Sequence, residues 1–230
     1  MRIRRKKWAK TELEDSKIFI SNPHEHICSW ESLFINGNPI TLELGCGKGI
    51  FIAQYASEHP EKNFIAIDIK TDILAVAHRN IKKTYQSLSR EPTNIILIPY
   101  DIMRFENLFY DSPVFKEIVI NFPNPWYKEK HYKRRLTHPR QLNQYSRVLE
   151  KDGSICLKTD DESFFRDSME YLKECHFEII FSSFDFHPED YPFISFPESE
   201  HELLYRSKGV PICFLRAKKE VLQVNSTSSE

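Results

Sequence analysis

Glycine is scarce in this chain, 6 in 230 residues, yet three of the six (Gly45, Gly47 and Gly49) fall within one pentapeptide. The five cysteines, at 28, 46, 156, 175 and 213, are odd in number, scattered and never in CxxC spacing. That pattern argues against a zinc site or a disulfide frame and for reduced thiols in a cytoplasmic protein. No apolar run reaches the length of about 18 residues that a membrane span needs. The basic start, MRIRRKKWAK, leads into TELEDS without the apolar core of a signal peptide. Net charge is nearly absent too, since 32 Lys and Arg face 33 Asp and Glu. With no global field to draw the chain to nucleic acid, any such role rests on local clusters.

What is present is alternation. From about residue 39, short apolar segments at 40–45, 63–69, 93–100, 117–121 and 154–159 predict strands, with two more near 177–185 and 210–217. Helical patterns lie at 49–58, 71–87, 138–150 and 161–174. Apolar strands alternating with helices predict a Rossmann-like α/β fold, a mostly parallel twisted sheet covered on both faces. Residues 1–230 read as a single domain with a basic N-terminal arm (about 1–20) and a polar C-terminal tail (about 219–230). In open parallel sheets, ligands bind beyond the carboxyl ends of the strands. The candidates there are Glu43 to Gly49, Asp68, Asp101, Asn121 to Lys128 and Lys158 to Asp161. Any one of these alone is equally a turn former or helix cap, but the series in register points to a site.

LELGCGKGIF is a strand, a glycine turn and a helix start, which lets a ligand approach the backbone closely. Asp68 ends the next strand at the spacing of a carboxylate that accepts from ribose hydroxyls. A dinucleotide fingerprint needs glycine at 50, where this chain has Ile50. Glu43 beside the loop is awkward for a pyrophosphate and natural for a cation, which favours S-adenosylmethionine. Asp101 follows the third strand and is placed to take an adenine amino group.

This E-x-G-x-G-x-G…D…D series resembles the class I methyltransferases. The stretch NFPNPWYKEKHYKRRL at 121–136 narrows the match, because it resembles the signature of the bacterial tRNA (guanine-N7-)-methyltransferase family. MRIRRKKW, LKTDD and SEHELLYRSKGVPI resemble further segments of that family. The resemblance implies a class I methyltransferase fold, S-adenosylmethionine as methyl donor and tRNA as substrate, with position 46 of the variable loop as target. Carried over by position, the cofactor contacts fall on Glu43, Asp68, Asp101 and Asn124, beside the glycine loop of Gly45, Gly47 and Gly49. The guanine and tRNA contacts fall on Lys128, Asp160, Ser199 and Glu202, and the catalytic role on Asn124, Asp160 and Glu202. Two departures stand out: Ser199 replaces the usual threonine, and Asn124 replaces an aspartate often given the catalytic role.

The elbow itself makes chemical sense for a base leaving its stack to meet a donor above the strand ends. Pro123 and Pro125 fix φ on either side of Asn124, and Trp126 either stacks on a base or wedges against the core. Lys128, Lys130, Lys133, Arg134, Arg135 and Arg140 form one basic cluster, with Arg134 and Arg135 read as tRNA contacts. Arg2, Arg4, Arg5, Lys6 and Lys7 form a second, and both suit RNA phosphates. No metal-ligand spacing surrounds His131 or His138, so no metal is expected, and no protein partner is called for. Two rivals remain: a tRNA-binding protein that has lost catalysis, which Asn124 keeps open, and an NAD-dependent oxidoreductase.

Overall fold

Segments such as ITLEL and NFIAI are apolar on both sides, and a strand of that kind needs cover on both faces. The structure is a computed structural model that describes residues 8–110, 113–190 and 196–220. The apolar segments become β1 (Ile40–Leu44), β2 (Asn63–Asp68), β3 (Ile95–Pro99), β4 (Phe115–Asn121) and β5 (Leu149–Thr159). With β6 (Phe177–Ser183) and β7 (Cys213–Lys219) they form a seven-stranded sheet of order β3-β2-β1-β4-β5-β7-β6. Every neighbouring pair is parallel except those made by β7, which runs antiparallel between β5 and β6. That inverted strand departs from the 3-2-1-4-5-6 order of the dinucleotide fold and counts against the oxidoreductase reading.

Side chains alternate across the pleat, so successive residues of β2 feed different cores. Phe64 and Ala66 face α2 (Ile50–Glu58) and α3 (Thr71–Ser87), packing with Ile52, Tyr55, Ala77 and Ile81. Ile65 and Ile67 join the opposite core with Leu142 and Tyr145 of α4 (Pro139–Val148) and Phe165 and Leu172 of α5 (Glu162–Glu174). β5 begins at Leu149 rather than 154, because the turn-forming KDG segment is carried in a bulge where the register with β4 shifts.

The described part of the expected N-terminal arm is docked. α1 (Ala9–Glu14) buries Ala9 and Leu13 against α3, with Arg79 hydrogen-bonded to Glu12 and lying 3.4 Å over the Trp8 ring. Phe19 then pairs with Leu97 and covers the open edge of β3. Residues 1–7, with the cluster from Arg2 to Lys7, and the tail from 221 lie outside the described residues. Among the described residues, no helix is long and apolar enough to cross a membrane.

Candidate active site

After β1 the chain turns through Gly45, Gly47 and Gly49 at φ of 83°, 54° and 67°, conformations that only glycine adopts at little cost. Gly49 is the most constrained: a Cβ there would stand 2.7 Å from the Cβ of Ala77, so the close approach of α2 to α3 requires its absence. Asp68 braces the same loop. Its carboxylate accepts from the Gly47 N–H at 3.2 Å and from the Lys70 N–H at 2.9 Å. Asp101, at the adjacent strand end, accepts from the Met103 N–H at 3.0 Å and caps a 3-10 turn. Both carboxylates hold backbone and stand outside the lining of the cavity that the loop opens onto.

That cavity holds about 570 Å³. Residues 45–51 with Asp72, Ile73 and Val76 form one wall; Asn121, Phe122, residues 199–201 and Leu204 form the other. Across its mouth, Lys48 of the loop pairs with Glu200 at 2.9 Å. Glu43 also lines it and is only 2% exposed. One of its oxygens accepts from Asn121 Nδ2 at 3.1 Å, and the other has no hydrogen-bond partner. Burial pushes this carboxyl up to about 8, against the pull of the Asn121 hydrogen bond and with a further push from Asp68's charge. A buried acid with one free oxygen beside a cavity fits a cationic amine, whose positive charge both ionises and satisfies it. Cys46 is wall rather than nucleophile, because burial holds its thiol well above the usual range.

The elbow after β4 is turned by Phe122 and Trp126, whose φ values of 48° and 47° lie in the left-handed region. Such strain persists only where the surroundings over-determine it. Here the Phe122 N–H donates to the Lys158 carbonyl at 2.8 Å, and the Trp126 N–H donates to Asn124 Oδ1 at 3.0 Å. Asn124 is exposed, and its side chain holds the turn. Arg135 supplies the third clamp, and here the expectation of a tRNA contact is corrected. It is 3% exposed, donates from Nε to the Pro125 carbonyl at 2.7 Å, and pairs with Asp167 at 2.7 Å. Its guanidinium stacks 3.6 Å from the centre of the Tyr132 ring. Lys128, Lys130, Lys133 and Arg134 remain exposed, and Arg134 lies 5.2 Å over the half-buried ring of Trp126. Arg140 stands 3.7 Å from Glu106, and His138 caps α4 by accepting from the Arg140 N–H.

A short helix absent from the sequence reading, α6 (Glu200–Arg206), closes the site. Ser199-x-x-Glu202 is its capping box: the hydroxyl accepts from the Glu202 N–H at 3.1 Å and the carboxylate from the Ser199 N–H at 3.4 Å. That signature was legible in the sequence. Glu202 is wholly buried, pairing with Lys158 at 2.8 Å and Arg206 at 3.0 Å. The expectation that it meets the guanine is therefore corrected; its oxygens are engaged in fastening α6 to the end of β5. Ser199 keeps a place on the cavity wall. Asp161 caps α5, which leaves Asp160 as the exposed carboxylate at this strand end. Its charge lies against Tyr205 and raises that phenol above its usual range. Phe122, His201 and Tyr205 form a triangle of rings beside it, with centroids 5.7–6.3 Å apart. No periodicity in the sequence announced them.

Comparison with known proteins agrees with this architecture. A family model described as "Putative methyltransferase" matches residues 37–215. The chain is 46% identical to the tRNA (guanine-N(7)-)-methyltransferase of Clostridium perfringens over 220 residues, 95% of this chain and all of that protein. It is 45% identical to the enzyme of the same name from Clostridium beijerinckii, over 96% of this chain and all of that one. Among solved structures, an antibiotic-related methyltransferase superposes with a TM-score of 0.58 at 15% identity, over 88% of this chain and 96% of that one, a likeness of fold. On both the family match and near-full-length identity, the chain belongs to the tRNA (guanine-N(7)-)-methyltransferase family.

Proposed function

We propose that this protein transfers the methyl group of S-adenosylmethionine to N7 of a guanine in tRNA. The carrying observation is Glu43, a buried carboxyl with one unpartnered oxygen on the wall of an otherwise largely apolar cavity behind a glycine loop. When bound, S-adenosylmethionine supplies a methyl group on a cationic sulfur. Glu43 in its ionised form takes the donor's amino group, held in position by Asn121. The loop of Gly45, Gly47 and Gly49 lets the donor lie against backbone, while Asp68 and Asp101 brace the neighbouring strand ends through the backbone N–H groups they accept from. Guanine N7 carries a lone pair and no proton, so the attack needs no general base. The new N–C bond forms as the C–S bond breaks, and its electron pair leaves with sulfur. Positive charge then passes to the purine, where Asp160 stabilises it.

Exposed Lys128, Lys130, Lys133 and Arg134 border the elbow and suit RNA phosphates, a backbone contact consistent with recognition of tRNA by shape. A tRNA substrate supports a cytoplasmic location. Position 46 of the variable loop is the target that the family resemblance implies. Incubation with unmodified tRNA and S-adenosylmethionine, followed by mass spectrometry of the nucleosides, should yield N7-methylguanosine, and sequencing of the product reads its position. Binding of both ligands without methyl incorporation would instead favour a tRNA-binding protein without catalysis.

A further inference from the structure

The cavity behind the glycine loop has an imbalance of charge that the mechanism above leaves unused. Among the residues that line it, Glu43, Asp72 and Glu200 are acids, and Lys48 is the one lysine or arginine. Acids suit the cationic sulfur and the amino group of S-adenosylmethionine. They repel its third charged group, the carboxylate that shares a carbon with the amine. A donor whose amine meets Glu43 therefore brings a carboxylate into an acidic cavity with a single basic side chain to meet it. Because amine and carboxylate sit on one carbon, the side chains that receive them must line the same space, as Glu43 and Lys48 do.

The backbone of Lys48 is fixed and its side chain is not. On one side the Gly47 N–H donates to Asp68 at 3.2 Å; on the other the Gly49 N–H donates to the Cys46 carbonyl at 2.9 Å. The carbonyl of Lys48 itself accepts from Asn80 Nδ2 of α3 at 2.8 Å. What stays free to move is the four-carbon stem with its ammonium. That ammonium meets Glu200 across the mouth at 2.9 Å, with the two side chains 58% and 48% exposed. An ion pair so open to water is weak, so a carboxylate arriving inside the cavity displaces Glu200 at little cost.

Resting on the proposed use of S-adenosylmethionine, we propose that Lys48 binds the donor's carboxylate and exchanges Glu200 for it when the donor enters. The exchange removes the clasp that spans the mouth, while α6 stays fastened through Lys158 and Glu202.

Decarboxylated S-adenosylmethionine is the probe that isolates this contact, because it keeps the amine and the cationic sulfur and lacks only the carboxylate. Both forms are titrated by calorimetry at about 0.15 M salt, where the fields of more distant surface charges are largely screened. The parent should bind S-adenosylmethionine roughly 5- to 10-fold more tightly than the decarboxylated form. K48M should abolish that preference by weakening S-adenosylmethionine, with thermal unfolding unchanged, and K48R should restore most of it. E200Q should raise the preference by roughly 2- to 4-fold, since Lys48 then leaves no charged partner. A parent without the preference, or K48M that retains it, overturns the carboxylate contact. E200Q with a preference at or below the parental one overturns the exchange. A parent that binds neither form would instead overturn the use of S-adenosylmethionine on which the contact rests.

Discussion

The carboxyl edge of the sheet has two halves built on opposite principles. Around β1 and β2, binding surface is made of glycine backbone, with one buried acid whose second oxygen is left free. Around β4 and β5, charge is abundant but turned inward: Lys158 with Glu202 and Arg206, and Arg135 with Asp167. In the proposed function, the first half keeps its charge for a small cation. The second uses internal pairs to hold an elbow and a short helix, and leaves its free charges on the rim. The lesson is that a charged residue's burial and pairing, rather than its place in a motif, decide whether it binds or builds.

The largest expected effect tests the building half. Breaking a buried ion pair from one side leaves an uncompensated charge, and E202A should lower unfolding stability by about 3–5 kcal/mol. Replacing the pair together, K158M with E202L, should bring most of that stability back, since well-packed apolar residues often match a buried pair. Chemical denaturation of the three variants reads both outcomes. If E202A unfolds like the parent yet loses methylation, Glu202 binds substrate and the contrast between the halves fails.

Glu43 tests the binding half. Its carboxyl titrates at about 8 in the folded chain, raised from an ordinary value of 4.5. Between those values the unfolded chain has released a proton that the folded chain keeps. Stability from this group is thus fully present below about 4.5 and is lost as pH rises to about 8. E43Q removes that loss, although burying an amide N–H costs some of it back, so a gain of roughly 2 kcal/mol at pH 8 is expected. The same variant should bind S-adenosylmethionine roughly 10- to 100-fold more weakly, having lost a charge-assisted contact. Thermal unfolding at pH 5 and pH 8, with calorimetry of donor binding, reads the two effects. Parental donor affinity in E43Q would remove Glu43 from the site.

Arg134 and Arg135 sharpen the contrast within two adjacent residues. R135A should cost about 2–3 kcal/mol of stability by freeing the elbow carbonyl and Asp167. R134A should leave stability unchanged and reduce the slope of log K for tRNA against log salt by about 0.7–0.9, the share of one phosphate. Equal behaviour of the two variants in either measurement would show that burial does not separate their roles.

The sequence carried the sheet well, because β1 to β5 are apolar enough to leave one arrangement, and the glycine loop because its residues act through local conformation. It did not carry the fates of Arg135 and Glu202. Both sit in motifs that read as ligand contacts, and only long-range pairing with Asp167 and Lys158 shows them to be braces. α6 was half legible: Ser199-x-x-Glu202 spells a capping box, but at 7 residues the helix is too short to show a period. The aromatic triangle was invisible, since it joins Phe122 to residues about 80 positions away that meet only in three dimensions.

Asn124 carries the smallest expected effect and the finest test. As the elbow residue where the family resemblance implies an aspartate, it invites the expectation of an active but slower enzyme. Its amide oxygen, however, holds the Trp126 N–H, and its side chain is exposed to solvent. Aspartate offers the same acceptor to the same N–H, so N124D should preserve the turn and add one charge near the forming purine cation. Because that charge is solvated, water screens most of its field, and the gain should be nearer the lower end of electrostatic effects, about 3- to 5-fold in single-turnover rate. Donor and tRNA affinities should move little. A rise of a hundredfold or more would mean that the elbow closes into a dry site during the reaction, making its charge a main term. A fall, with tRNA affinity intact, would mean that the amide's N–H group donates to the substrate, a contact aspartate cannot make.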